Sequence, residues 1–592
     1  MSWPLKEKLK KLLAAEQGAV VHAPGSRPGF ALAFPNTYHV GMSNLGFHII
    51  YREINASGLA ACERVFLPGK KELAEHLRTN TPLMTIETQR PLYEFPLIGF
   101  AVSFEMDYFN LLAMLELGKI PLLAADRGEA DPIVIAGGPC ATFNPEPLAA
   151  FIDVFVIGEG EQVIGEILAA WQRGREEGLS RRDTLLAFAA IPGVYVPCFY
   201  RDEYHPDGTL AALAPTAAVP AAISRRWLRD LDAHPGQTAV VTADTEFGDM
   251  YLIEIARGCG RHCRFCMAGY CFRRPRARSL ASLEAAIGHA QKYRDKIGLV
   301  GAAVSDHPDI DALVTFIRAR GLKFSVASLR ADSLTPALAQ ALVASGHKTI
   351  TLAPEAASER LRRVINKGLD AADLERAVAL AADAGIPNIR LYIMVGLPTE
   401  DDADIAAIAE LARATRRHMA AHGSRGRLTL SINPFIPKPF IPKPFTPFQW
   451  LPMAPQPLVE ERLAAIRAAL KADKNTEILV EPPKEAYIQG ILSRGDRRLG
   501  PVLLEAHRRG GPKHWFRALA AAGLDEAFYL YRERPADETL PWQHLDMGLE
   551  PGYLLKELER ARGEKYTPSC RPGCTLCGVC RPGQGEGGGQ TP

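Results

Sequence analysis

The sequence predicts an α/β protein with three parts: an N-terminal Rossmann-like parallel sheet domain, a central partial (β/α)6 barrel, and a mostly helical C-terminal region with a Cys-rich tail. Three observations predict it. Short, nearly continuous apolar runs alternate with longer helix-like segments over residues 28–175 and again over 246–450. Parallel strands covered by helices on both faces read this way. Most of these runs end in glycine or polar residues, where such sheets carry their ligand loops. Seven of the 11 cysteines fall into two tight groups, 259–266 and 570–580, a clustering that reads as metal binding rather than a disulfide framework.

The elements follow in order. Residues 1–27 form a leader whose charged start, Met1–Lys11, reads as a short amphipathic helix, too polar to continue into a signal peptide. Residues 30–34 are a strand, 35–43 a loop and 45–54 a helix. A second strand, 97–103, leads to a helix that runs through Leu117 and stops at Gly118. The run 132–136 ends in Gly137-Gly138-Pro139, and 151–157 ends in Gly158-Glu159-Gly160-Glu161. Residues 176–245 are a connector rich in Pro, Ala and Arg. In the second series, strands are expected at 251–256, 298–304, 323–328, 348–353, 388–395 and 427–433. Helices are expected at 281–293, 310–319, 335–345, 370–384 and 402–421. Phe435-Ile-Pro-Lys-Pro439 is repeated at once as residues 440–444, a polyproline-like loop extension. Residues 451–565 read as helical, with Arg494–Arg498 and His507–Trp515 as charged solvent faces. Residues 566–592 are a Cys-rich metal tail with a disordered glycine-rich end.

Bulk composition excludes little. The 592 residues imply three or four domains, and a net charge of +2 creates no whole-protein field for nucleic acid. No apolar run is long enough to span a membrane, so the chain reads as cytoplasmic.

The chemistry is concentrated in Cys259-Gly-Arg-His-Cys263-Arg-Phe-Cys266, a C-x3-C-x2-C run directly after a strand. Iron–sulfur clusters normally take four cysteines. Three thiolates leave one iron open to a small molecule that offers an amine and a carboxylate. A Cys3His zinc site that includes His262 is the alternative, although a side chain adjacent to Cys263 would point away from a shared metal. The run, with Phe265 before its third cysteine, resembles the motif of radical S-adenosylmethionine (SAM) enzymes, whose barrel is the partial (β/α)6 form. That resemblance implies a [4Fe–4S] cluster on Cys259, Cys263 and Cys266, and SAM beside Phe265, Ser305, Glu355, Lys367 and Gly396. It also implies an electron donor such as flavodoxin or ferredoxin.

Ser103, Gly137, Gly138, Thr142 and Gly158 resemble the strand-end residues of the cobalamin-binding domain fused to many radical SAM enzymes. Glycines there would let the backbone approach a large flat ligand. The histidine motif that replaces cobalt's lower ligand is not matched by Asn36-Thr-Tyr-His39-Val-Gly41, so His39 is expected to be a loop residue. The arrangement over about 28–580 resembles a bacterial radical SAM family with this N-terminal domain, and implies cobalamin-dependent C-methylation of an unactivated carbon, with a partner subunit compatible. A non-methylating radical enzyme, or an RNA- or ribosome-associated protein with structural metals, are the alternatives. The tail residues Cys570, Cys574, Cys577 and Cys580 suit a second Fe–S cluster by their compactness, with zinc as the alternative.

Overall fold

The computed structural model describes residues 2–23, 25–435, 445–480, 482–571 and 573–580. Most of the duplicated proline segment and the glycine-rich end lie outside the described residues.

The N-terminal sheet is built from β1 (Gly29–Phe34), β2 (Ala61–Phe66), β3 (Leu97–Ala101), β4 (Ile133–Gly137), β5 (Val154–Val156) and β6 (Val194–Tyr195), in the order β2-β1-β3-β4-β5-β6. Only the β5–β6 pair is antiparallel. All six residues of β1 are buried, as a strand covered on both faces requires. The helix Leu45–Ser57 begins where the Asn44 side chain accepts from Phe47 N and ends at Gly58 in the left-handed region. Strand β2 has no counterpart among the expected strands because its centre is Glu63-Arg64. Both charges are satisfied inside: Arg64 pairs with Glu16 at 2.6 Å and Glu87 at 2.7 Å, and Glu63 accepts from Thr85 and Thr88. Likewise β6 comes from the connector, which joins the sheet rather than merely passing it.

The second series forms β7 (Met250–Glu254), β8 (Lys296–Val300) and β9 (Lys323–Ser325), then β10 (Thr349–Glu355), β11 (Asn388–Val395), β12 (Leu428–Pro434) and β13 (Thr476–Val480). Each set is parallel in chain order, and one parallel bridge, Leu329 to Leu352, joins the two. Six strands were expected; β13 is a seventh, contributed by the segment expected to be helical. The helices Ala371–Asp383 and Asp402–Ala421 each start with an aspartate capping box, Asp370 with Asp373 and Asp401 with Asp404. Ile253, Leu299, Phe324, Leu352, Leu391 and Leu430 carry the barrel core.

The C-terminal region overturns one expectation. Arg494 and Arg497 are not a charged solvent face. Arg494 is 3% exposed and donates to the carbonyls of Tyr529 and Leu451. Arg497 pairs with Glu146 at 2.6 Å and donates to the Tyr195 hydroxyl, while Arg498 closes on Asp496 at 2.6 Å. Arg497 fastens the start of the helix Leu499–Arg508 to the N-terminal domain, because Glu146 and Tyr195, which hold it, are distant in sequence; Arg494 ties the helix Pro483–Arg494 to its own C-terminal region. Trp515 packs edge-on against Phe109 at 5.8 Å on the same face. Among the described residues, no helix is long and apolar enough to cross a membrane.

Candidate active site at the cysteine loop

The loop between β7 and the following helix is fixed from several sides. Gly258 takes φ +79°, and a Cβ there would stand 2.1 Å from the Phe272 carbonyl oxygen, so only glycine passes. Arg264, with no exposed surface, donates to Glu557, to the carbonyls of Arg363, Val364 and Lys565, and to Thr567. Its own N–H bonds the Ile365 carbonyl at 2.9 Å. His262 is fully buried and shares a 2.6 Å hydrogen bond with the Tyr553 hydroxyl. Burial, then Arg273 and Arg264, push it down to about 3. The ring is thus neutral and turned to the C-terminal helix Tyr553–Arg562.

Cys259, Cys263 and Cys266 line this loop together. Burial raises the Cys259 thiol, and Cys263 raises it further. Cys266 is pushed up to about 12 by burial, then by Cys263 and Cys259. Thiols such as Cys259 and Cys266, raised by burial and by neighbouring cysteines, belong to a donor set that a cationic iron core relieves. Among the described residues, no three or more His, Cys, Asp or Glu side chains are gathered as a single metal ion would need. The fit to a cluster therefore rests on spacing, mutual charge and lining.

The strand ends around the loop carry a continuous polar circuit. Arg261 donates to Asp306 at 2.6 Å and to Asp332 at 2.7 Å; Arg330 grips Asp332 and donates to the Lys367 carbonyl at 3.0 Å. Lys367 Nζ stands 3.4 Å from Glu355 Oε1 and 6.0 Å from the Phe265 ring centroid. Glu355 is free for this because Ser358 caps the helix Glu359–Val364. Phe265 packs in one apolar cluster with Cys263, Met394 and Leu397. Gly396, at φ +90°, leads into that cluster through Leu397, and Glu400 accepts from its N–H at 2.7 Å. Burial raises Glu400 to about 7 despite Arg462 at 2.6 Å. Ser305 stands apart from this group and shares a 2.7 Å hydrogen bond with Ser333. Phe265, Glu355, Lys367 and the Gly396 turn therefore converge, with Ser305 at the neighbouring strand end.

The residues expected to face cobalamin divide. Ser103, Gly137 and Gly138 are half-exposed at the ends of β3 and β4. Ser103 accepts from Asn44, and Gly137 leaves its nearest neighbour, Val156, at 3.8 Å from a built Cβ. Thr142 is buried; its hydroxyl accepts from Gly158 N and donates to the Gly138 carbonyl. Gly158 is closed by the chain itself, since a Cβ would stand 2.2 Å from the Arg226 carbonyl oxygen. His39 pairs with Asp244 at 2.7 Å at the surface.

Sequence reasoning missed what Glu159 and Glu161 do. Glu159 pairs with Arg276 at 2.6 Å and Arg257 at 3.2 Å, and Glu161 with Arg257 at 2.7 Å. Arg257 also holds Glu254 at 2.8 Å. Burial would raise the Glu159 carboxyl, but Arg276 and Arg257 outweigh it and hold it below the usual range. The second β-series thus reaches the first through the residue two positions before Cys259. Acidic residues after β5 and arginines flanking the cysteine run were the available signal.

Comparison with known proteins gives two family matches: the family described as radical SAM proteins, N-terminal, over residues 46–197, and the radical SAM superfamily over 253–412. An uncharacterised protein of Methanocaldococcus jannaschii is 28% identical over 80% of this chain and 90% of its own length. An uncharacterised methyltransferase of Pyrococcus horikoshii is 25% identical over 51% of this chain and 62% of its own. Among solved structures, the Kitasatospora setae radical SAM methyltransferase TsrM with cobalamin and a [4Fe–4S] cluster bound superposes with TM-score 0.48 at 15% identity, covering 84% of this chain and 99% of that one.

Proposed function

We propose that this chain, matched by the radical SAM N-terminal and core family models over 46–197 and 253–412, cleaves SAM at a [4Fe–4S] cluster on Cys259, Cys263 and Cys266 and methylates an unactivated carbon with the help of cobalamin. The observation that carries the reading is the convergence of the three-thiol loop with Phe265, Glu355 and Lys367 at the barrel mouth. When bound, the cluster supplies one electron to the SAM sulfonium, giving methionine and a 5′-deoxyadenosyl radical.

The chain's own residues supply position and dryness. Glu355 Oε1 would accept from an ammonium, with Ser305 at the neighbouring strand end. Lys367, pulled toward Glu355, offers an N–H to a carboxylate. Phe265, Met394 and Leu397 form an apolar wall for an adenine ring and exclude water from the radical's path. Ser103, Gly137 and Gly138 are the residues that would hold cobalamin, which supplies a methyl carrier when bound.

A second reading has its own support. The closure of Gly158 by Arg226 and the Glu159–Arg257 clamp suit an N-terminal domain that serves as a scaffold for a non-methylating radical enzyme. Anaerobic reconstitution with iron, sulfide and cobalamin, followed by SAM and reductant, separates them. Cobalt near one per chain with both deoxyadenosine and S-adenosylhomocysteine supports methylation. Deoxyadenosine without bound cobalt sinks it in favour of the scaffold. Neither product, with zinc in place of iron, sinks both.

A further inference from the structure

The tail Cys570-Arg-Pro-Gly-Cys574-Thr-Leu-Cys577-Gly-Val-Cys580 does not hang free. It folds back onto the first cysteine loop. Cys570 N donates to the Gly260 carbonyl at 2.7 Å, and Gly260 directly follows Cys259. A Cβ on Gly260 would meet the Cys570 Cβ at 3.1 Å, so the two backbones touch. The thiols nevertheless sort into two groups. Cys570 feels Cys574, Arg273 and Cys580, whereas Cys266 feels Cys263, Cys259 and Lys367, so each thiol sits among the cysteines of its own run.

The wall between the groups is packed protein. Cys577, 3% exposed, shares an apolar cluster with Tyr270 and Tyr553. Tyr553 in turn holds His262, which lies between Cys259 and Cys263 in sequence. A second observation points to an anionic occupant. Arg273 is 1% exposed, and its terminal nitrogens meet the Cys577 thiol rather than an oxygen acceptor. The foremost charged group acting on it is Cys577. A buried guanidinium held against a thiol, with no oxygen acceptor on its terminal nitrogens, is matched by a thiolate-bound cluster whose sulfur atoms accept N–H bonds. Four cysteines within eleven residues are compact in the manner of Fe–S ligand runs, whereas zinc more often takes two separated pairs.

We propose that Cys570, Cys574, Cys577 and Cys580 hold a second iron–sulfur cluster that relays single electrons to the SAM-binding cluster across the Cys570–Gly260 and Tyr553–His262 contacts. The proposal rests on the reading that Cys259, Cys263 and Cys266 hold that first cluster. The step balances as one electron: the reduced tail cluster returns to its oxidised level as the first cluster gains the electron, and no proton or ligand moves. The electron originates in a one-electron donor protein of the flavodoxin or ferredoxin class. Cys574 and Cys580, half-exposed, present the outer side of the site to such a donor, while Cys577 faces inward.

The test uses the full chain, reconstituted without oxygen, in three forms: wild type, C259A/C263A/C266A, and C574A/C580A, which spares the buried Cys577 and the docked Cys570. Iron, sulfide and zinc are counted, and reduced samples are examined by electron paramagnetic resonance. Two four-iron clusters predict about eight irons in wild type and about four in each variant. Wild type should show a spectrum broadened by coupling of the two spins, absent from both variants. Deoxyadenosine formation in C574A/C580A should fall further with flavodoxin than with dithionite, by about an order of magnitude. Zinc without iron in C259A/C263A/C266A overturns the tail cluster and leaves the first cluster standing. Equal losses with both reductants overturn the relay. A wild type without iron overturns the first reading as well.

Discussion

The two β-series end differently, although both carry glycine and polar residues at their strand termini. At the barrel mouth, Glu355 at the end of β10, Lys367 beyond the following helix and Phe265 of the cysteine loop face one another. At the N-terminal sheet, the end of β5 is closed by the chain's own connector, and its two glutamates grip arginines of the barrel. The difference teaches that a strand-end glycine records a close approach without recording by what. Gly258 and Gly158 both admit backbone; Gly137 admits nothing in this chain.

The sharpest way to break the comparison is to loosen the barrel side. Arg264→Ala removes the buried guanidinium from Glu557, leaving it Thr567 and a 3.7 Å pair with Arg560, and loss of one member of a buried pair costs about 3–5 kcal/mol. Urea unfolding should register that cost, and iron retention should fall with it. A variant within 1 kcal/mol of wild type (about the size of an ordinary surface effect) would mean the loop is held elsewhere.

Next come the glycines. Gly158→Ala places a Cβ in a left-handed conformation against Arg226, a strain of about 1–3 kcal/mol, and should lower the melting temperature. Gly137→Ala meets only ordinary contacts and should leave stability unchanged, yet weaken cobalamin uptake if the flat ligand lies there. Equal melting temperatures for the two variants would erase the proposed contrast.

The interdomain clamp carries a pH signature. The Glu159 carboxyl lies below its ordinary value in the folded chain because Arg276 and Arg257 outweigh burial. Its stabilisation is therefore complete above the unfolded value and lost as pH falls through the folded one. The advantage of wild type over Glu159→Gln should persist at neutral pH and fade below about pH 4.3. A difference that is constant with pH would contradict the ionised clamp. The smallest effect is at His39, half-exposed beside Asp244. His39→Ala should change stability by no more than about 0.5 kcal/mol and leave the absorption spectrum of bound cobalamin unaltered; a spectral shift would make His39 a cobalt ligand.

Much of this was legible before the structure. Periodicity set the strand at 388–395 and the helices 310–319 and 402–421, because apolar runs are local signals. The C-x3-C-x2-C loop was legible because its ligands are consecutive. What escaped depends on partners far away in sequence. Strand β2 hid behind Glu63, which accepts from Thr85 and Thr88, and Arg64, which is paired with Glu16 and Glu87. Arg494 and Arg497 read as solvated because neither Tyr529 nor Glu146 is nearby in the chain. The seventh barrel strand, Thr476–Val480, is only partly buried and carries a weak apolar signal. The docking of the tail on Gly260 is a single backbone bond that no side-chain pattern announces.

The most direct test of the central claim is the yield of 5′-deoxyadenosine from SAM and dithionite under anaerobic conditions, in wild type and in the C259A/C263A/C266A variant. The account predicts deoxyadenosine from wild type and none above the reagent blank from the variant. Equal yields from both would contradict the assignment of Cys259, Cys263 and Cys266 as the site of SAM cleavage.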